Sequence, residues 1–220
     1  MSSVQPIQLA KAPKLSAVVQ SATLTNASST RVLIVYPSGT HLNQLAGAVT
    51  EGALGVIGDA SLVRSRLVED ASFTDDVLWA DAIILGSHVM NANVEPKMAA
   101  FLATWDFSQD LSHKVGAAFV AGGGMSAGEE LTMVNLLHSL LIFRMVIVGG
   151  ERWTSAFGAS AVVSEGPFQP LAQVNPNHQT FPSVCYPTDP DQLLAMFRDK
   201  AVGLGRRVAT LATVMRNPYP

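Results

Sequence analysis

VLIVYPSGTHL, residues 32–42, is the stretch whose reading decides the fold. Val32, Leu33, Ile34 and Val35 form a continuous apolar run, mostly β-branched, of the kind a strand shows when both its faces are buried. Tyr36, Pro37, Ser38, Gly39 and Thr40 then break the run with turn-forming residues. His41-Leu42 opens a segment of helical spacing, with Leu42, Leu45, Ala46, Val49 and Ala53 on one side. A buried strand, a small polar loop and a helix start together bring backbone N–H groups and hydroxyls to the positive end of a helix dipole. Such a place suits an anion, and above all a phosphate.

The same unit recurs along the chain. Asp81–Gly86 (DAIILG) reads as a strand, Ser87–Asn93 as a polar loop, and Glu95–Trp105 as a helix with Pro96 in its first turn. Val115–Val120 (VGAAFV) reads as another strand, Ala121–Gly128 (AGGGMSAG) as a Gly-rich loop, and Glu129–Phe143 as a helix. That helix has two acidic residues in its first turn and Arg144 after its end, which suits its dipole. Ser61–Val68 alternates weakly as a further strand, Asp70–Ala80 reads as a short helix or turn, and Met145–Val148 as the last strand. Glu151–Thr188 carries Gly, Pro and Asn with little periodicity, and Asp191–Met215 predicts a closing amphipathic helix.

Apolar strands alternating with helices predict an α/β three-layer sandwich: a five-stranded parallel sheet of order 2-1-3-4-5 with helices on both faces. In that order the first, third and fourth strands are neighbours. Their following loops, Pro37–His41, Ser87–Asn93 and Ala121–Gly128, would then meet at one end, where strand order reverses and ligands bind.

Composition narrows the function. The chain has 220 residues, 48% hydrophobic and only 14% charged, enough for a large core and sparse in surface charge. Part of that surface is expected to be covered by another copy, as a dimer or tetramer. A net charge of −3 with 14 Lys and Arg offers no basic footprint for nucleic acid or an acidic membrane. No apolar run reaches the ~18 residues a membrane span needs. The single cysteine, Cys185, excludes an internal disulfide and a paired-thiolate metal site, so a reducing, cytoplasmic compartment is the economical expectation. Residues 1–30 read as a low-complexity tail or an arm that packs on a partner, and the ordered domain as residues 31–220.

With these three loops in hand, the chain resembles the flavodoxin-like FMN proteins, and among them the tryptophan-repressor-binding-protein family of NAD(P)H:quinone oxidoreductases. Four segments carry the resemblance: VLIVYPSGTHLNQLAGAVTEGA (32–53), DAIILGSHVMNANVEPKMAAFL (81–102), FVAGGGMSAGEELT (119–132) and MVIVGG (145–150). The departures are local. Pro37 stands where the family has its first phosphate-loop serine, and Thr40 where it has the glycine before the histidine. His88, Val89, Met90 and Asn91 replace Pro, Thr, Arg and Phe, and Ile142-Phe143 replace a histidine pair.

The resemblance implies non-covalent FMN, with NADH or NADPH as co-substrate and a quinone or similar flat acceptor. Ser38, Gly39, Thr40, His41 and Leu42 would cradle the phosphate; an ordinary capped turn is the alternative. Ser87, His88, Val89, Met90, Asn91, Ala92 and Asn93 would line one edge of the flavin ring, and Gly122, Gly123, Gly124 and Met125 would approach it closely. Trp105 and Phe107 would cover the substrate side or pack in the core, and Phe168 lies where the family has a turn near the site. No residue is expected to be an indispensable acid or base. A flavodoxin-type electron carrier, or a module of this fold that has lost FMN, are the alternatives.

Overall fold

A computed structural model of the chain describes residues 29–124, 126–163, 193 and 195–216. In chain order the elements are β1 (Val32–Tyr36), α1 (Thr40–Ile57), β2 (Val63–Leu67), β3 (Ala82–Met90), β4 (Asn93–Val94), α2 (Pro96–Leu102), β5 (Val115–Gly122), α3 (Glu129–Ile142), β6 (Val146–Ile147), β7 (Ala159–Val162) and α4 (Ala195–Arg216). The sheet runs β2-β1-β3-β5-β6, with β1 parallel to both β2 and β3, and β3 parallel to β5. This is the predicted flavodoxin-like order, because β4 is only the short return arm of a hairpin.

The alternation of side chains along each strand sorts the core into two halves. Val32, Ile34, Ala82, Ile84, Ala117 and Phe119 pack against Leu42, Leu45 and Val49 of α1 and Phe197, Leu204 and Val208 of α4. Leu33, Val35, Ile83, Leu85, Ala118 and Val120 face the other way, onto Met98 and Phe101 of α2 and Leu136 and Leu140 of α3. Both faces of the sheet are thus covered at its centre, which is why β1, β3 and β5 read as apolar runs, while the edge strand β2 (Val63–Leu67) is half-exposed and alternates.

Three expectations are corrected. Ser87–Asn93 is not an open loop. β3 continues through Ser87 to Met90 and pairs back antiparallel on β4, with Val89 opposite Val94 and Met90 opposite Asn93. Asn91 and Ala92 turn the hairpin at φ 50° and 60°, the two positive-φ residues that a tight two-residue turn demands. The helix expected over Glu95–Trp105 stops at Leu102, where Thr104 Oγ1 donates to the Phe101 carbonyl and closes the end.

The segment after Glu151 contains a strand. β7 pairs in parallel with Phe119–Gly122 of β5, while β6 pairs with Val115-Gly116. The edge of the sheet is therefore one strand position filled by two short pieces. Ala-Ser-Ala-Val is too short and too weakly apolar to announce itself. The closing helix is present as Ala195–Arg216.

Candidate functional site at the carboxyl ends of the central strands

Because β1, β3 and β5 are neighbours, the chain leaves the sheet at one end through three adjacent segments, as predicted. The first begins at Pro37, which is buried and, like any proline, offers no N–H. Ser38 and Thr40 are exposed, Gly39 and His41 half-buried. Gly39 occupies the N-cap of α1 and has no side chain to cap it, and no acidic residue stands in the first turn. The Gly39 N–H donates instead to Asn43 Oδ1 at 3.1 Å. An 18-residue helix whose first amides have no partner within the helix thus turns the positive end of its dipole toward this end, with no acidic residue of its own in the first turn. The Leu42 side chain is fully buried in the core, so Leu42 can offer this end only its backbone.

The hairpin forms the second segment. Ser87 is fully buried; its hydroxyl donates to the His88 carbonyl at 2.7 Å and accepts the Glu95 N–H at 2.8 Å. The hydroxyl is consumed in tying the two arms of the hairpin together, so Ser87 is a buttress. Val89 turns toward the core on the α2–α3 side, whereas Met90, Asn91 and Asn93 are exposed.

His88 Nδ1 and Glu95 Oε2 are in hydrogen-bond contact at 2.6 Å, with 29% and 16% of their side chains exposed. The Nε2–Cε1 edge of the His88 ring lies against Gly39: a Cβ built on that glycine would sit 2.3 Å from Nε2 and 2.5 Å from Cε1. The hairpin and the α1 loop therefore touch through this imidazole. In the sequence Glu95 shows only as the first residue of a helix, ahead of Pro96. The signal was present: with a two-residue turn at Asn91-Ala92, the ladder places His88 opposite Glu95 one step beyond Val89 and Val94.

At the end of β5, Gly122 is buried and Gly123 and Gly124 are half-buried, while Met125 lies outside the described residues. Glu129, the first residue of α3, is 8% exposed, and its Oε1 has no hydrogen-bond partner among the described residues. That oxygen stands 2.6 Å from where a Cβ on Gly122 would lie. A carboxylate at a helix start is stabilised by the helix dipole. In the sequence Glu129 showed only that role, and its burial beside the glycine strand end was not visible there.

Trp105 and Phe107 belong to the opposite end of the sheet. Each helix that follows a strand returns to the amino end, and there Trp105 is buried among Phe73, Phe101 and Phe143, with ring centroids 5.8, 5.9 and 5.2 Å away. Phe107 stacks on Phe143 at 4.4 Å. Of the two readings open for these residues, core packing is the one their placement supports, and neither lines the three loops. Phe168 lies outside the described residues. A cleft of about 790 Å³ between the segment after β2 and α2 is lined by Phe73, Phe101, Lys97 and Glu69, and shares no residue with the three loops. Among the described residues no helix is long and apolar enough to cross a membrane, and no His, Cys, Asp and Glu cluster could hold a metal ion.

Comparison with known proteins agrees with this geometry. Residues 66–159 match the family model described as NADPH-dependent FMN reductase. A flavodoxin of Aquifex aeolicus is 31% identical, the match covering 59% of this chain and 72% of that one. An NAD(P)H dehydrogenase (quinone) of Azorhizobium caulinodans is 33% identical over 54% of this chain and 70% of its own. Another from Afipia carboxidovorans is 30% identical, with 63% and 80% covered. Among solved structures, a flavodoxin, WrbA-like protein from Agrobacterium tumefaciens superposes with a TM-score of 0.57 at 20% identity, over 84% of this chain and 98% of that chain. A flavodoxin from the domain Archaea gives 0.56 at 17%, over 83% and 99%. The structural likenesses speak for the fold and the sequence relatives for descent: the chain belongs to the family of NAD(P)H dehydrogenases (quinone), on a flavodoxin-like fold.

Proposed function

We propose that this chain is an FMN-dependent NAD(P)H oxidoreductase that reduces a quinone or a similar flat acceptor by two electrons, in ping-pong fashion. The observation that carries the reading is the convergence, at the strand-order reversal, of an uncapped helix start free of acidic residues with a glycine strand end. That pair of features fits a phosphomonoester joined to a flat ring. Family membership supplies the cofactor class.

In this reading Ser38, Thr40 and the first-turn backbone of α1, from Thr40 to Leu42, hold the phosphate beside Gly39. The hairpin from His88 to Asn93 and the strand end Gly122–Gly124 bound the ring. Bound FMN supplies the hydride acceptor and donor. The chain's own part is to hold the phosphate, to keep the hairpin rigid through the Ser87 hydroxyl, and to leave one ring face open for the nicotinamide and the acceptor in turn. No side chain is assigned as an obligatory acid or base. Residues 31–220 form the FMN-binding domain, residues 1–30 a tail or arm, and the protein works in the cytoplasm as a homo-oligomer.

The test is spectroscopic. Purified protein titrated with FMN is expected to bind it, to bleach under air-free NADH or NADPH, and to recover its yellow colour on benzoquinone. A protein that binds FMN yet is bleached by neither nucleotide would be an electron carrier, and one that never binds FMN would overturn the reading.

A further inference from the structure

The contact between His88 and Gly39 goes beyond holding the hairpin in place. The Glu95 carboxylate, 2.6 Å from Nδ1, can only accept when ionised, so it fixes the ring proton on Nδ1. Nε2 is then the nitrogen left to face the α1 loop, where its edge rests on Gly39. Two amides of that loop are out of play: Pro37 has no N–H, and the Gly39 N–H is engaged by Asn43 Oδ1. Nε2 offers an anion there either a lone pair, which repels it, or an N–H on a cation whose charge Glu95 already balances on the far side. An anion selects the second state. Other ionisable groups on the elements around this ring are Tyr36 at the end of β1, His41 in the first turn of α1, Lys97 of α2, which pairs with Glu69 and also feels the Glu95 charge, and Glu129 and Glu130 at the start of α3.

We propose that His88, oriented by Glu95, is a phosphate ligand: with a proton from solvent on Nε2, it donates a hydrogen bond to the phosphate held over Gly39. This rests on the reading that the loop binds FMN. It makes the site selective for a phosphorylated flavin over riboflavin, and it couples cofactor binding to proton uptake. Ser87 and the hairpin turn set the ring's position, and Asn43 keeps the Gly39 amide out of competition.

The test compares FMN with riboflavin, each titrated by quenching of flavin fluorescence into wild-type protein, His88→Gln and Glu95→Gln. His88→Gln is expected to weaken FMN about tenfold, the scale of one hydrogen bond to a charged group, and to leave riboflavin unchanged. Glu95→Gln should act in the same direction and less. Calorimetry of FMN binding in two buffers of different ionisation enthalpy should show more protons taken up by the wild type than by His88→Gln, the phosphate's own proton exchange being common to both; equal proton exchange would overturn the proposal. Riboflavin binding doubles as the check that each variant is folded. Equal or tighter FMN binding by His88→Gln, or an equal loss for both flavins, would overturn the role of His88 while leaving FMN binding standing. Failure of the wild type to bind FMN would overturn both.

Discussion

Ala92, at the tip of the hairpin, rests on Gly128, the N-cap of α3: a Cβ on Gly128 would lie 2.5 Å from the Ala92 Cβ. Gly128 also has φ 111°, where a side chain is strained on its own account. Gly128→Ala should therefore both strain the cap and push the hairpin off α3. The expected cost is about 2–4 kcal/mol, adding the left-handed penalty to an overpacked contact. Thermal unfolding measures the first effect and FMN titration the second. A variant as stable as wild type would show that the hairpin floats free of α3.

Ser87 holds the other end of the same hairpin. Ser87→Ala removes a donor from the His88 carbonyl and an acceptor from the Glu95 N–H at a fully buried position. The loss should be about 1–3 kcal/mol. The loosened His88–Glu95 pair should also bind FMN more weakly than wild type. Urea unfolding with the same titration checks both, and unchanged affinity would argue that strand pairing alone fixes the hairpin.

The fold was legible because burial writes itself into strands. Val32–Val35, Ile83–Leu85 and Ala117–Val120 are apolar on both faces, and that pattern survives without any knowledge of partners. The hairpin was not legible, since its turn is Asn-Ala rather than Asn-Gly, and alanine seldom marks a positive φ. Without that turn, nothing in the sequence pairs His88 with Glu95. Trp105 shows the converse problem: a tryptophan after a helix carries no sign of which end of the sheet it occupies, and only the topology decides it.

Trp105 tests that decision. Its ring is 5% exposed among three phenylalanines, and its Nε1 has no hydrogen-bond partner among the described residues. Trp105→Phe removes a buried unpaired N–H together with some volume, effects of opposite sign, so a net change below about 1.5 kcal/mol is expected. Trp105→Ala leaves a cavity and should cost about 3–5 kcal/mol. Neither variant should change the KM for the acceptor when assayed well below its unfolding temperature. A raised KM in Trp105→Phe would return this residue to the substrate side.

Lys114 gives a pH signature of the fold itself. It is 3% exposed at the amino end of β5, and its Nζ donates to the Ala80 carbonyl and, at 3.0 Å, to that of Leu78. Burial pushes its ammonium below the usual lysine value of 10.5; Asp81 opposes the shift and Arg31 adds to it. The unfolded chain therefore holds this proton more tightly. From the lowered folded-state value up to 10.5 the unfolded state binds more protons, so this group's contribution to stability improves as pH rises through that window. At lower pH, where both states are charged, the penalty is constant. Lys114→Met abolishes the contribution and orphans two carbonyls, at a cost of about 1–3 kcal/mol near neutral pH. Urea midpoints of both proteins between about pH 8 and the lysine range should diverge, the wild type gaining on the variant as pH rises. Parallel curves would mean that Lys114 keeps its ordinary affinity for the proton and that the two carbonyls solvate its charge as well as water does.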